Sequence, residues 1–132
     1  MTPDGFRRLA LSLEGAVESE HMRHPDFRVG GKIFATLGYP DHRWGTVMLS
    51  PEHQREFVSA APSVFRPAAG AWGRSGSTNV NLRAATKDVL LPALHSAMLK
   101  ALLKGLKPSA RGKSVRLPPR AANSTTQRRS PK

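Results

Sequence analysis

A glycine pair between two short runs of strand-forming residues constrains the fold of this chain more than any other feature. Residues 24 to 38 read HPDFRVGGKIFATLG, with Gly30-Gly31 at the centre. A two-residue turn between antiparallel strands needs positive φ angles, which glycine adopts at no steric cost. The segment therefore predicts a β-hairpin, and the alternation of side chains gives it two faces. The face predicted to point into a core carries Phe27, Val29, Ile33, Ala35 and Leu37. The other face carries Arg28, Lys32, Phe34 and Thr36.

Helix and strand signals on both sides of the hairpin predict an α+β domain. Thr2-Pro3-Asp4 and Ser50-Pro51-Glu52 are typical helix starts, because each offers a capping hydroxyl, a proline and an early acid. The predicted order is a helix to about residue 13, an edge strand over 17–22, the hairpin, a strand over 44–49, a helix ending before Pro62, a brief strand over 64–66, a strand over 77–82 and a helix over 88–104. We expect a mostly antiparallel sheet with helices packed on one face.

The apolar positions of these elements predict one core. Its expected members are Val29, Ile33, Leu37, Val47, Leu49, Val80, Leu90, Leu94 and Met98. Within the last helix, Pro92 is expected in the first turn, because a proline in a helix interior costs about 3 kcal/mol. His95 lies among leucines and is expected to be a half-buried structural histidine.

The net charge of +12 is unevenly distributed along the 132 residues. Residues 1–107 hold 14 Lys and Arg against nine Asp and Glu, a net charge of +5, whereas residues 108–132 hold seven basic residues and no acid. The last segment also lacks large apolar residues, so we expect a folded domain over 1–107 and a disordered basic tail over 108–132. The absence of cysteine, of a signal peptide and of a long apolar run favours a soluble cytoplasmic protein.

Two candidate sites suggest nucleic-acid binding. On the exposed sheet face, Arg28, Lys32 and Arg83 are expected near Asn79 and Asn81, with Phe34 and Trp44 as rings for stacking. The alternative is an ordinary solvated sheet whose aromatics pack under the Trp72 loop or at a dimer contact.

The glycine-rich segment GAWGRSGSTNVNL over residues 70–82 is the second candidate. Trp72 and Arg74 combine a large ring and a guanidinium on an expected loop, which could enter a groove or grip a partner. The alternative is a lid, in which Trp72 covers the core.

Catalytic and metal-binding patterns are weak in this sequence. His21, His24, Asp26 and His42 fall close together but lack the spacing of known metal sites. Neither a nucleophile elbow nor a phosphate-binding loop is present. We therefore predict a non-enzymatic protein without a metal or another cofactor.

Over residues 5–105, the order of the hairpin, the Trp72 segment and the leucine-rich last helix resembles the MmcQ/YjbR family of small bacterial proteins. The resemblance implies an α+β fold similar to that of frataxins (CyaY-like), but the first helix sets Asp4 and Glu14 against Arg7 and Arg8, so iron binding is not carried over. Family members are commonly labelled DNA-binding, with hairpins compared to wings. By position, the wings would be Gly30-Gly31 and residues 72–76, which would bring Arg28, Lys32 and Arg74 near phosphate.

The resulting expectation is non-catalytic, low-specificity binding of DNA or another nucleic acid through the basic hairpin and the Trp72–Arg74 segment. The alternative is a protein-interaction module that uses the Trp72 segment and the exposed sheet face. No membrane association is expected, and a monomer is favoured over an oligomer.

Overall fold

The computed structural model describes residues 1–38 and 41–105, and within them a six-stranded antiparallel sheet has the order β1-β2-β3-β4-β6-β5. The strands are β1 (Val17–His21), β2 (His24–Val29), β3 (Lys32–Leu37), β4 (Trp44–Met48), β5 (Phe65–Pro67) and β6 (Ser77–Asn81). The helices are α1 (Pro3–Leu11), α2 (Pro51–Ala60), α3 (Gly70–Arg74) and α4 (Lys87–Gly105). The expected α+β class is confirmed. The predicted tail over 108–132 lies outside the described residues, as do Tyr39 and Pro40 of the predicted turn before β4.

Capping side chains begin the first two helices where the sequence predicts them. The hydroxyl of Thr2 accepts from the Gly5 amide at 3.0 Å, and the hydroxyl of Ser50 accepts from the His53 amide at 3.1 Å. Each helix has a proline at its first position, where the missing N–H costs nothing. The edges of the sheet are β1, with exposed Glu18 and Glu20, and β5, which ends in Pro67.

The helices cover one face of the sheet, which is here called the inner face. α1 and α4 pack on the central strands, and Phe57 of α2 meets Phe65 of β5 with ring centroids 5.5 Å apart. All the predicted core residues except Ile33 are buried in one cluster, together with Phe6, Phe27 and Leu82. Burial of this continuous apolar surface is what holds the helices to the sheet.

A bulge in the hairpin corrects the two predicted faces of β3. Gly30 and Gly31 form the turn with φ angles of 57° and 79°, but the register shifts between Phe27 and Arg28. Phe27 pairs with Ala35 and Arg28 pairs with Ile33, which leaves Phe34 as an extra residue on β3. An extra residue breaks the alternation of faces. Phe34 is consequently fully buried, whereas Ile33 is only partly buried.

Three features of the later elements also differ from the prediction. Residues 70–74 form the short helix α3 instead of a loop, and α4 contains Pro92 in its interior. α4 begins at Lys87, so Pro92 removes one hydrogen bond, while Leu90, Ala93 and Leu94 around it are fully buried. Their packing outweighs the cost of the proline. His95 is exposed and not half-buried.

Candidate nucleic-acid interface

The sheet face turned away from α1 and α4, here called the outer face, carries a row of polar residues. Opposed residues in neighbouring strands project to the same face. The pairings therefore align one residue from each of five strands, which are Asp26, Thr36, Thr46, Asn79 and Arg66. Within this row, the Thr46 hydroxyl donates to the Asn79 side-chain oxygen at 3.3 Å.

Trp44 lies beside this row at the start of β4, opposite Asn81. The guanidinium carbon of Arg66 stands 4.3 Å from the centroid of the Trp44 ring, which is a cation–π contact. Arg43, Trp44, Asn81 and Arg83 line an open depression of about 220 Å³ next to this contact. We call Arg43, Trp44, Arg66, Asn81 and Arg83 the Trp44 platform.

Hydrogen bonds fix the backbone at Arg43 and Arg83. The Leu82 amide donates to the Arg43 carbonyl at 3.1 Å, and the Arg83 amide donates to the Asn81 side-chain oxygen at 3.1 Å. The side-chain nitrogen (Nδ2) of Asn81 donates to the Ser63 carbonyl at 3.4 Å. Asn81 thus uses both ends of its side chain to fix the turn after β6.

The arginines of the platform differ in whether an acidic side chain is paired with them. Arg43 donates to Asp41 with its backbone N–H at 2.8 Å and with its guanidinium at 3.3 and 3.4 Å. These hydrogen bonds hold the pKa of Asp41 below its ordinary value of 3.8. Arg66 and Arg83 form no ion pair within residues 1–38 and 41–105. The platform therefore keeps excess positive charge.

Arg28, a predicted phosphate contact, is paired with an acid. Its guanidinium donates to both carboxylate oxygens of Asp26, at 2.9 and 3.1 Å, and Asp26 is fully buried. This pairing raises the pKa of Arg28. Because its charge is neutralised locally, Arg28 offers less attraction to phosphate than Arg66 or Arg83 does.

The structure divides the predicted binding residues into separate groups. Trp44 and Arg83 belong to the platform, but Phe34 is buried in the core, so the expectation that it stacks on the exposed face is wrong. Lys32 is exposed next to the hairpin turn. Trp72 and Arg74 lie in α3, which leads into the Ser77 end of β6. Trp44 is opposite Asn81 at the other end of that strand, about 13 Å away along the strand axis.

α3 presents Trp72 to solvent, with 73% of the residue exposed. The buried side chain of Gln54 donates to the carbonyls of Gly73 at 2.9 Å and Ser77 at 3.0 Å, which ties α3 to α2 and β6. A Cβ atom at Gly73 would overlap the Ala68 carbonyl oxygen, so the backbone is closely packed there. Because Trp72 is exposed, the alternative in which it forms a lid over the core is wrong.

Arg43 and Arg66 are the platform residues that the sequence reasoning did not identify. Alternation from Phe65 inward would have placed Arg66 outward, so a local signal existed. Its position over Trp44 depends on the pairing of β5 with β6 and of β6 with β4, which local alternation does not reveal.

The described residues contain no group of three or more His, Asp or Glu side chains placed to hold a metal ion. None of the helices in that part of the chain combines the length and the apolarity needed to cross a bilayer.

Comparison with known proteins gives a family and a fold. A family model described as YjbR matches residues 11–105. Protein DR2400 of Deinococcus radiodurans, whose crystal structure is described with a DUF419 domain, superposes with a TM-score of 0.65 at 20% sequence identity. The likeness covers 79% of this chain and 80% of that chain, and at this identity it shows the fold. No curated protein sequence matches this one.

Proposed function

This chain belongs to the YjbR family, and we propose that it is a non-catalytic protein of the bacterial cytoplasm that binds nucleic acid through the Trp44 platform. The observation that carries the proposal is the stacking of Arg66 on Trp44 at 4.3 Å, beside a depression lined by Arg43 and Arg83. Guanidinium groups bind phosphate, and an indole ring offers a surface for a base. The platform brings both to one exposed place.

Low sequence specificity follows from the same side chains. Contacts between arginine and phosphate position a nucleic acid but carry no sequence information. Asn81, the amide that lines the depression, uses its oxygen and its nitrogen within the protein. It has less capacity to read a base edge than an unengaged amide would have.

Charge-removal variants test this proposal. In the full chain, Arg66→Ala and Arg83→Ala should each weaken the binding of a labelled oligonucleotide, measured by fluorescence anisotropy. Removing one arginine–phosphate interaction should reduce the magnitude of the slope of log K against log salt by about 0.7 to 0.9. Arg55→Ala is the matched control, because Arg55 is an exposed arginine of α2 outside the platform. Equal losses of affinity in all three variants would show that only net charge matters and would contradict a site at Trp44.

The exposure of Trp72 supports a second candidate function, the recognition of a protein partner by α3. Tryptophan and arginine are enriched among residues that dominate binding energy, and α3 carries both in Trp72 and Arg74. Under this alternative, Trp72→Ala should remove a specific protein that co-purifies with the chain and leave nucleic-acid affinity unchanged. An unchanged set of co-purifying proteins would count against it.

A further inference from the structure

We infer that the Trp44 platform binds single-stranded nucleic acid in preference to a duplex, with one unstacked base in the depression beside Trp44. The inference rests on the proposed function, because it names the form of nucleic acid that the platform recognises. Three properties of the platform carry it, namely the size of the depression, the position of the ring and the distribution of charge.

The depression is small and open to solvent. Its volume of about 220 Å³ is below the 300 to 1,000 Å³ typical of sites for drug-sized ligands. A single base fits such a space, while the sugar and the phosphates remain at the rim.

The position of the Trp44 ring suits a base that is already free. Trp44 is partly buried in the sheet surface, and Arg66 covers one face of its ring, so a base contacts the part of the ring that lines the depression. In a duplex, the faces of the bases are covered by their neighbours, and only the edges reach the grooves. Extruding a base costs a few kcal/mol, whereas a single strand offers base faces for stacking without that cost.

The charges around the ring suit the phosphates on either side of the base. Arg66 and Arg83 have no ion pair within the described residues, and Arg83 lines the depression. A flexible single strand can place its phosphates against both guanidinium groups while a base contacts Trp44. A duplex would reach the same arginines without using the ring.

The two tryptophans of the chain distinguish two modes of binding. Trp44 is partly buried in the sheet surface, where a ring serves for stacking, whereas Trp72 is exposed on α3, where a ring serves for insertion between bases. In the full chain, Trp72→Phe leaves Trp44 as the sole tryptophan, and Trp44→Phe leaves Trp72. The fluorescence of each variant therefore reports on one position.

The experiment titrates both variants with a thymine oligomer of about 12 nucleotides and with a duplex of equal length at the same salt concentration. We expect the single strand to quench Trp44 and to bind about 10-fold more tightly than the duplex, with little change in the fluorescence of Trp72. Trp44→Leu should lower the affinity for the single strand about 10-fold and lower the affinity for the duplex much less, because only the single strand stacks a base on the ring. Circular dichroism and thermal unfolding verify that Trp44→Leu is folded, and the quenching measurement on Trp72→Phe does not depend on that variant.

The outcomes separate the inference from the function on which it rests. Equal or tighter binding of the duplex without quenching of Trp44 overturns the inference and leaves nucleic-acid binding standing. Quenching of Trp72 instead of Trp44 also overturns it, because the base then contacts α3. Failure of both oligonucleotides to bind at low salt overturns the inference and the proposed function together.

Discussion

Gly76 lies at a point where the backbone leaves no room for a side chain. Its φ angle is +113°, and a Cβ atom there would overlap the carbonyl oxygen of Leu49. Gly31 in the hairpin turn also has a positive φ angle, +79°, but nothing lies within 4 Å of its Cβ position. The two glycines therefore share a conformational requirement and differ in available space.

Alanine substitutions at these glycines separate conformation from crowding. Gly31→Ala should lower the free energy of unfolding by about 1–2 kcal/mol, the cost of a left-handed conformation for an L-residue. Gly76→Ala should cost about 1–3 kcal/mol more, because the β4–β6 corner must move. Urea denaturation measures both values. Equal losses of stability would mean that Leu49 moves aside freely.

Lys100 is the partly buried cation of α4, and its ammonium group donates to the Leu49 carbonyl at 3.0 Å. Burial lowers its pKa from the ordinary value of 10.5, and the nearby charge of Lys104 adds to the effect. Between the lowered pKa and 10.5, the unfolded chain binds more protons at this position than the folded chain. Stability contributed by Lys100 therefore rises with pH in that interval.

A pH series on Lys100→Met tests this direction. The free energy of unfolding of the unmodified chain, relative to that of Lys100→Met, should increase as the pH is raised from neutral towards 10. Lys87→Met is the control, since Lys87 is an exposed lysine at the start of the same helix. Denaturant titration at each pH gives the difference. A flat or falling difference would be the opposite of what burial of the ammonium predicts.

Among the elements, those with a local cause were predictable from sequence and those with a tertiary cause were not. Gly30-Gly31 identified the hairpin, and Thr2 and Ser50 identified two helix starts, because the required chemistry is local. The bulge at Phe34 depends on how β2 and β3 pair, so alternation alone misassigned Phe34 and Ile33. α3 spans five residues without a useful period, and contacts from the distant Gln54 hold it.

The candidate site follows the same division. Trp44 and Arg83 were identified because strand alternation places both on the outer face. Arg66 was missed because its contact with Trp44 passes through two strand pairings, from β5 to β6 and from β6 to β4. For Trp72 the sequence leaves two interpretations open, a wedge that enters a groove or grips a partner and a lid over the core, and only the position of α3 shows that the residue is exposed.

Pro92 offers a test of α4 as an element. It lies in the second turn of the helix and is exposed, so Pro92→Ala should restore one backbone hydrogen bond without disturbing the core. We expect stabilisation of about 1–3 kcal/mol, measured by thermal or denaturant unfolding. Pro51→Ala, at the first position of α2, should change stability little, because that N–H has no intrahelical partner. Destabilisation by Pro92→Ala would indicate that the proline sets a bend on which the packing of α4 depends.

For the whole molecule, the positive charge is divided unevenly along the chain. Residues 1–107 have a net charge of +5, and residues 108–132 add seven basic residues without an acid. If both parts contact phosphate, the tail contributes bulk attraction and the platform contributes stacking. The two contributions respond differently to salt.

Removal of residues 108–132 separates their contribution to binding from that of the platform. A chain ending at Lys107 should retain binding at low salt, and the magnitude of the slope of log K against log salt should fall by about 0.7 to 0.9 for each phosphate that the tail neutralises. Anisotropy titrations over a salt series measure both quantities. Complete loss of binding at low salt would assign the activity to residues 108–132 and not to the platform.

The two edges of the sheet have a consequence for how the protein behaves when crowded. An incoming strand at β1 would meet exposed Glu20 and the ion pair between Arg7 and Glu18. One at β5 would meet a three-residue strand ending in Pro67, which has no N–H to offer. Charged side chains and edge prolines discourage the addition of further strands. Neither edge therefore offers a second copy of the chain a long, uncharged strand on which to extend the sheet.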